Sequence, residues 1–428
     1  MEVNDLERRF RNGIFGDAQK EMLEKIFTAL VVLMMWGYAY AVPFFPSLNF
    51  GEVALIGIMA VLLLAGKLCI KIPYMLWAFF GFSFLTTVVS SLVLSNVADA
   101  SMRMIRDAFY WVLIMVFVAR YLNYAFFKKC LKIFCIALSA VLVLQVVIYH
   151  LTGVFVPAYL FAGTVDGVTS GLDIYEHIVF WIGHSGYLKP YGFLSEAAHC
   201  SQALFIGSLF LVQEYQENGK NKSLWLLALY NVASVLTFSA SALIYVAFVF
   251  VIIMYILFRK RSKYFVVGAL LAVAAILILT AFAGLDSLFA RIFSATSGNT
   301  EDSSAFVRIY KGFYYWGSLP LIHKLFGIGF GNFNACNAYY GIQLDENIAG
   351  EFMSSLSYIL VSAGLIGFII FVYFFVKLFI NGNRLARILI ISMTVMSCAA
   401  SIYSSPYWVW FMAGILFNQK DRRIECHE

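Results

Sequence analysis

Residues 352–376 read FMSSLSYILVSAGLIGFIIFVYFFV, twenty-five positions without one charged side chain. A helix crosses a hydrocarbon core in about 20 residues at about 1.5 Å rise per residue, so this stretch is long enough to span a bilayer. Outward from it the same pattern recurs. Apolar blocks fall at about 26–42, 50–66, 72–94, 108–119, 131–150, 199–213, 223–238, 241–258, 264–284, 385–403 and 406–417, which with 352–376 makes twelve. Hydrophobic residues make up 62% of the 428 and charged residues 13%, against roughly a quarter charged in soluble domains. The fold class expected is therefore all-α: a polytopic membrane protein of about twelve transmembrane helices, one integral membrane domain over 1–428. Four blocks, the second, fourth, seventh and last, are short for a full span.

Lysine and arginine orient the chain, because cytoplasmic loops near membrane helices carry more of them. With the N-terminus inside, 23 of the 30 basic residues fall on the cytoplasmic side, and seven remain outside: Arg103, Arg106, Lys189, Arg291, Arg308, Lys311 and Lys324. Both termini are expected in the cytoplasm. The polar stretch from Met1 to Lys25 lacks the apolar core and cleavage site of a signal peptide, so the first helix reads as a retained signal anchor. The net charge of +6 is explained by this sidedness, and no nucleic-acid partner is expected. Seven cysteines without a CxxC pair or a Cys/His cluster read as small apolar residues, with neither a zinc site nor a disulfide framework. No Walker A loop is present, and neither metal nor cofactor is expected.

Two outer segments are long, about 151–198 and 285–351, and loops of that length usually carry function. In the second, Ser303 and Ser304 precede a run in which Phe306, Ile309, Tyr310, Phe313 and Trp316 recur at helical spacing. It reads as an amphipathic helix at the outer interface, with Arg308 and Lys311 one turn apart on a shared strip. Here guanidinium is the better anion ligand, since its fork of donors suits phosphate oxygens; the plain alternative is a solvated charge. The glycines of Gly327-Ile328-Gly329-Phe330-Gly331 let backbone approach either backbone or ligand, and exposed amides there can cradle anions. Gly329 is a candidate substrate contact on that ground.

The first loop ends in Lys189-Pro190-Tyr191-Gly192-Phe193-Leu194-Ser195-Glu196-Ala197-Ala198-His199. Glu196 and His199, three apart at a helix start, share a face, and either can take a proton from a hydroxyl while the other orients it. The plain reading is that Ser195 caps the helix and Glu196 answers its dipole. Lys189 and Tyr191 are candidate substrate contacts, the tyrosine by stacking on a sugar ring. Arg106, beside Asp107 near the outer end of the fourth block, is either paired structurally or part of a path for an anionic ligand. Thr237-Phe238-Ser239-Ala240-Ser241 reads as a tight outer turn without chemistry, and His177, His184 and His323 as loop surface.

The order KPYGFLSEAAHCSQA, LTFSASALI, RIYKGFYYWGSLPLIHKLFGIGFGNF and SSLSYILVSAGLIGF resembles the O-antigen and exopolysaccharide polymerases (Wzy) of the O-antigen ligase/polymerase superfamily over about residues 185–370. The resemblance implies a GT-C-like, metal-independent glycosyltransferase in the bacterial cytoplasmic membrane. It would join undecaprenyl-pyrophosphate-linked oligosaccharides at the outer face, working beside a chain-length regulator and a flippase. In that scheme Arg308, assisted by Lys311 or Lys189, stabilises the pyrophosphate, and Glu196 or His199 accepts the proton. Two departures stand out. Relatives often carry an arginine in a TxSR element where Ala240 and Ser241 follow Ser239 here, and ligases tend to have a histidine near the position of Met353 and Ser354. The alternatives are an O-antigen ligase and, from another class, a secondary transporter. A transporter would place ionisable groups at helix centres and show repeat symmetry, neither of which is visible in this sequence.

Overall fold

The computed structural model describes residues 17–38, 40–42, 45–65, 74–156, 188–219, 221–260, 304–342 and 353–420. Apart from a two-stranded ribbon (β1, Ala41–Val42; β2, Phe45–Asn49), its regular structure is helical. The helices are α1 (Asp17–Gly37), α2 (Phe50–Ala65), α3 (Tyr74–Val93), α4 (Val97–Val112), α5 (Ala119–Tyr121), α6 (Tyr124–Thr152), α7 (Ala197–Asn218), α8 (Asn221–Leu236) and α9 (Ala240–Lys260). After the second long loop come α10 (Ser304–Ser318), α11 (Leu321–Phe326), α12 (Phe333–Tyr340), α13 (Ser355–Asn381), α14 (Arg384–Ala399) and α15 (Pro406–Leu416). Eleven of the twelve apolar blocks coincide with helices, and 264–284 lies outside the described residues. Among the described residues α6 and α13 are long and apolar enough to cross a membrane, and Phe50–Leu64, Trp77–Val93, Ser241–Ile256 and Pro406–Leu416 are apolar but shorter. This is consistent with a membrane protein.

The short fourth block belongs to a longer helix. α4 starts at Val97, eleven residues before the apolar run at 108, and continues through a π-helical segment, Leu113–Val118, into α5. Arg103, Arg106 and Asp107 therefore lie within a helix and not at its head.

The chain forms two compact units, one of Met1–Tyr38, Ser47–Phe127 and Phe306–Glu428, the other of Ala39–Pro46 and Lys128–Ala305. The core of the first is aromatic. Trp408 on α15 packs on Trp111 at 5.9 Å, on Tyr403 at 5.6 Å and on Phe371 at 5.8 Å between ring centroids, and Trp111 Nε1 donates to Tyr403 Oη at 3.0 Å. In the second unit α7 runs antiparallel to α6. Lys132, near the start of α6, is 2.7 Å from Glu214 near the end of α7, and Gln145, near the end of α6, holds the segment that leads into α7.

A break in α13 shapes the first unit further. Gly364 has φ 66° and ψ −177° inside the helix, which removes the usual acceptor role of the carbonyls one turn back. Orphaned carbonyls are costly away from water. They are met by the glycine loop that follows α11: the Ile328 amide donates to Val361 O at 3.1 Å and the Gly329 amide to Ser362 O at 2.9 Å.

Candidate functional site

In the second unit the motif Lys189–His199 is built on one glutamine. Gln145, 2% exposed, donates from Nε2 to Gly192 O at 3.1 Å and to Val156 O at 3.2 Å, and accepts the Gly192 amide at 2.9 Å. The two-way bond requires the chain to turn at Gly192, whose φ of 59° favours glycine and whose missing methyl would lie 2.6 Å from Leu138 Cδ1. Tyr191 is 7% exposed and packs with Leu188 and with the Phe155 ring at 5.3 Å. Its ring is part of the core, and burial pushes its phenol up. Such a ring is not displayed for stacking on a sugar.

The start of α7 differs from the expected cap. The N-cap residue is Glu196, at φ −146° and ψ 153°, and its side chain makes no capping bond; Ser195 Oγ lies 2.7 Å from His199 Nδ1 instead. Ser195 therefore orients the imidazole. With the proton on Nδ1 and donated to Ser195, Nε2 is the acceptor nitrogen of the ring. Glu196 is exposed, and Lys189 and His199 are half-buried. One turn into α7, Ser201 Oγ is 3.4 Å from Ser241 Oγ, which is 2.8 Å from Ser239 Oγ. The serine turn, expected to be only a connector, thus adjoins the helix start that carries Glu196 and His199.

In the first unit Arg308 lies on α10, with its side chain outside the described residues. Lys311 is 2% exposed, with Nζ 5.5 Å from the centre of the Phe333 ring. The expected charged strip is corrected accordingly: α10 turns Tyr310, Phe313 and Tyr314 outward and Lys311 and Tyr315 inward. Close packing sets this rotation, since a methyl at Gly312 would collide with the side chain of Ser357.

Gly329 is likewise engaged by protein. Its amide serves Ser362, the Phe330 amide donates to Thr87 Oγ1 at 3.0 Å, and a methyl at Gly329 would lie 2.7 Å from Thr87 Cα. The loop uses its glycines for backbone-to-backbone approach, so amides 328 to 330 do not form a free anion cradle. His323 is fixed as well, between Gly327 O at 3.0 Å and Tyr340 Oη at 2.8 Å. Arg106 Nε lies 3.3 Å from Glu52 Oε1. Glu52 is fully buried and also accepts from Tyr110 Oη at 2.9 Å. Among the described residues no group of three or more His, Cys, Asp or Glu could hold a metal ion.

Sequence reasoning missed Gln145 and Glu52. Each had a signal, a polar residue within an apolar block, where buried ionisable or amide groups need named partners.

No curated protein matches the chain. Residues 223–372 match the family model Wzy_C, described as O-antigen ligase; the matched stretch includes the serine turn, α10 to α12 and the break in α13. That match supports the O-antigen ligase/polymerase superfamily for residues 223–372.

Proposed function

We propose that this protein is a polysaccharide polymerase that joins undecaprenyl-pyrophosphate-linked repeat units at the outer face of the bacterial cytoplasmic membrane. The observation that carries the reading is the family match over 223–372, whose members transfer glycans. The choice of polymerase over ligase is supported by Met353 and Ser354, which stand near the ligase histidine position. Both are buried at the start of α13, with Ser354 Oγ 2.8 Å from Ser357 Oγ, so no imidazole is offered there.

In the proposed step the acceptor sugar hydroxyl attacks the anomeric carbon of the donor glycan, and the bond from that carbon to the carrier diphosphate breaks. The hydroxyl proton passes to His199 Nε2 or to the Glu196 carboxylate. The departing diphosphate calls for fixed positive charge, the role that the resemblance gives to Arg308 with Lys189 or Lys311 assisting.

The test is reconstitution of the purified protein with lipid-linked repeat units. A ladder of lengthening lipid-linked glycan is expected. Single units transferred only to a lipid A core or protein acceptor would replace the polymerase with a ligase. Deletion in the host adds an independent readout, since loss of a polymerase leaves single repeat units and loss of a ligase leaves long lipid-linked chains.

A further inference from the structure

Charged side chains are seldom buried unless they are paired. Within the first unit four of them cluster: Glu52, Arg103, Arg106 and Asp107. Stability alone is a poor reason to keep such a cluster, because buried ion pairs recover little more than their own desolvation cost. The arrangement is also lopsided. The carboxylates lie deep, with side chains 0% exposed for Glu52 and 7% for Asp107, whereas both arginines keep 27%.

Each carboxylate holds its arginine by the inner edge. Asp107 Oδ1 is 3.4 Å from Arg103 Nε, and Glu52 Oε1 is 3.3 Å from Arg106 Nε. Aromatic faces set the planes: the Arg103 guanidinium lies 5.1 Å from the centre of the Tyr358 ring and that of Arg106 5.5 Å from Tyr38. One terminal nitrogen of Arg106 donates to Tyr38 Oη at 3.2 Å. Among the described residues nothing accepts from the terminal nitrogens of Arg103. The two forks stand three residues apart on α4, one helical turn, and each guanidinium feels the other's charge. One small cavity is lined by Asp107 together with Phe330 and Tyr403, and another by Tyr358, which stacks on Arg103, with Gly331 and Phe333.

Two like charges held one turn apart suit a ligand with two adjacent anionic groups. A planar fork prefers phosphoryl oxygens. We propose that Arg103 and Arg106 form a clamp for a phosphate-class anion, with Asp107 and Glu52 as positioning residues that hold the forks from behind. The occupant is a diphosphate, borne by a lipid or free in solution. The lipid-linked case rests on the function proposed above; the clamp itself does not.

The experiment uses the full chain in nanodiscs and measures binding of a polyprenyl diphosphate, of the matching polyprenyl alcohol and of inorganic pyrophosphate. The diphosphate lipid is expected to bind at least tenfold more tightly than the alcohol. Arg103→Gln should weaken it at least tenfold, and Arg103→Lys, which keeps charge but loses the fork, by several-fold. Asp107→Asn removes the negative charge behind the clamp and should leave anion binding equal or tighter, a result that a purely structural ion pair would not give. Equal binding of alcohol and diphosphate, wild-type affinity in Arg103→Gln, or loss in Asp107→Asn as large as in Arg103→Gln would each overturn the proposal. If Arg103→Gln does not fold, Arg103→Lys and Asp107→Asn still decide it by their opposite signs. Inorganic pyrophosphate binding as tightly as the lipid would identify the free anion as the occupant. A protein that binds through Arg103 yet elongates no glycan would sink the polymerase reading and leave the clamp standing.

Discussion

Replacing Gln145 with leucine should release the Lys189–Glu196 segment from α6. Three hydrogen bonds disappear, and the buried amide and carbonyl of Gly192 lose their partners. An orphaned buried polar group costs about 1–3 kcal/mol, so the pair costs about 2–6 kcal/mol. Greater apolar burial by leucine returns about 1–2 kcal/mol. A net loss of about 2.5 kcal/mol, the middle of a span of about 0–5 kcal/mol, is modest beside whole-protein stability of about 5–15 kcal/mol, and it falls on one segment. Local opening should therefore rise by a factor of about 30 or more, at about 1.4 kcal/mol per tenfold. The assay is hydrogen exchange of residues 188–196 in nanodiscs beside glycan transfer by the same sample. Exchange should quicken at least tenfold there and transfer should fall by at least as much, with membrane insertion retained. Unchanged exchange in a folded variant would refute the claim that Gln145 holds this segment.

Gly327→Ala should destabilise the first unit by about 3 kcal/mol or more. It forces a side chain onto a backbone at φ 89° and ψ 172°, a region costing about 1–3 kcal/mol, and drives a methyl into Ser362 O; thermal unfolding of the purified variant measures it. Arg308→Ala should abolish polymer formation without loss of membrane insertion, and Arg308→Lys should restore it only in part; full-length polymer from the alanine variant would remove Arg308 from the mechanism. Cys336 is fully buried and its thiol is pushed up by that burial, so it should resist maleimide in the native protein and label on unfolding, as intact mass would report.

The positions of the helices were legible because hydropathy acts over some twenty residues and local detail averages out. The outcome was different wherever one residue decides. The phase of α10 could not be read from aromatic spacing, since a ring facing lipid and a ring facing protein look alike in sequence; what turns Lys311 inward is the close fit of Gly312 against Ser357. Glycine spacing in 327–331 announced close approach but not its target, which lies on α13 and α3, far away in the chain. Glu196 and His199 were correctly placed at a helix start. The serine between them and the loop was misread as a cap because its other partner, the imidazole, competes for the same oxygen. Glu52 went unnoticed in the sequence because its partners, Arg106 and Tyr110, arrive from α4, more than fifty residues away.

Gly327 and Gly364 constrain each other. A methyl on Gly364 would press on the Gly327 nitrogen, and one on Gly327 on the backbone around Ser362. Neither position can drift alone, so the two should change together across descendants or not at all. A chimera that borrows the 327–332 turn from a relative would have to import the matching interruption of the long helix with it, as key and lock travel together.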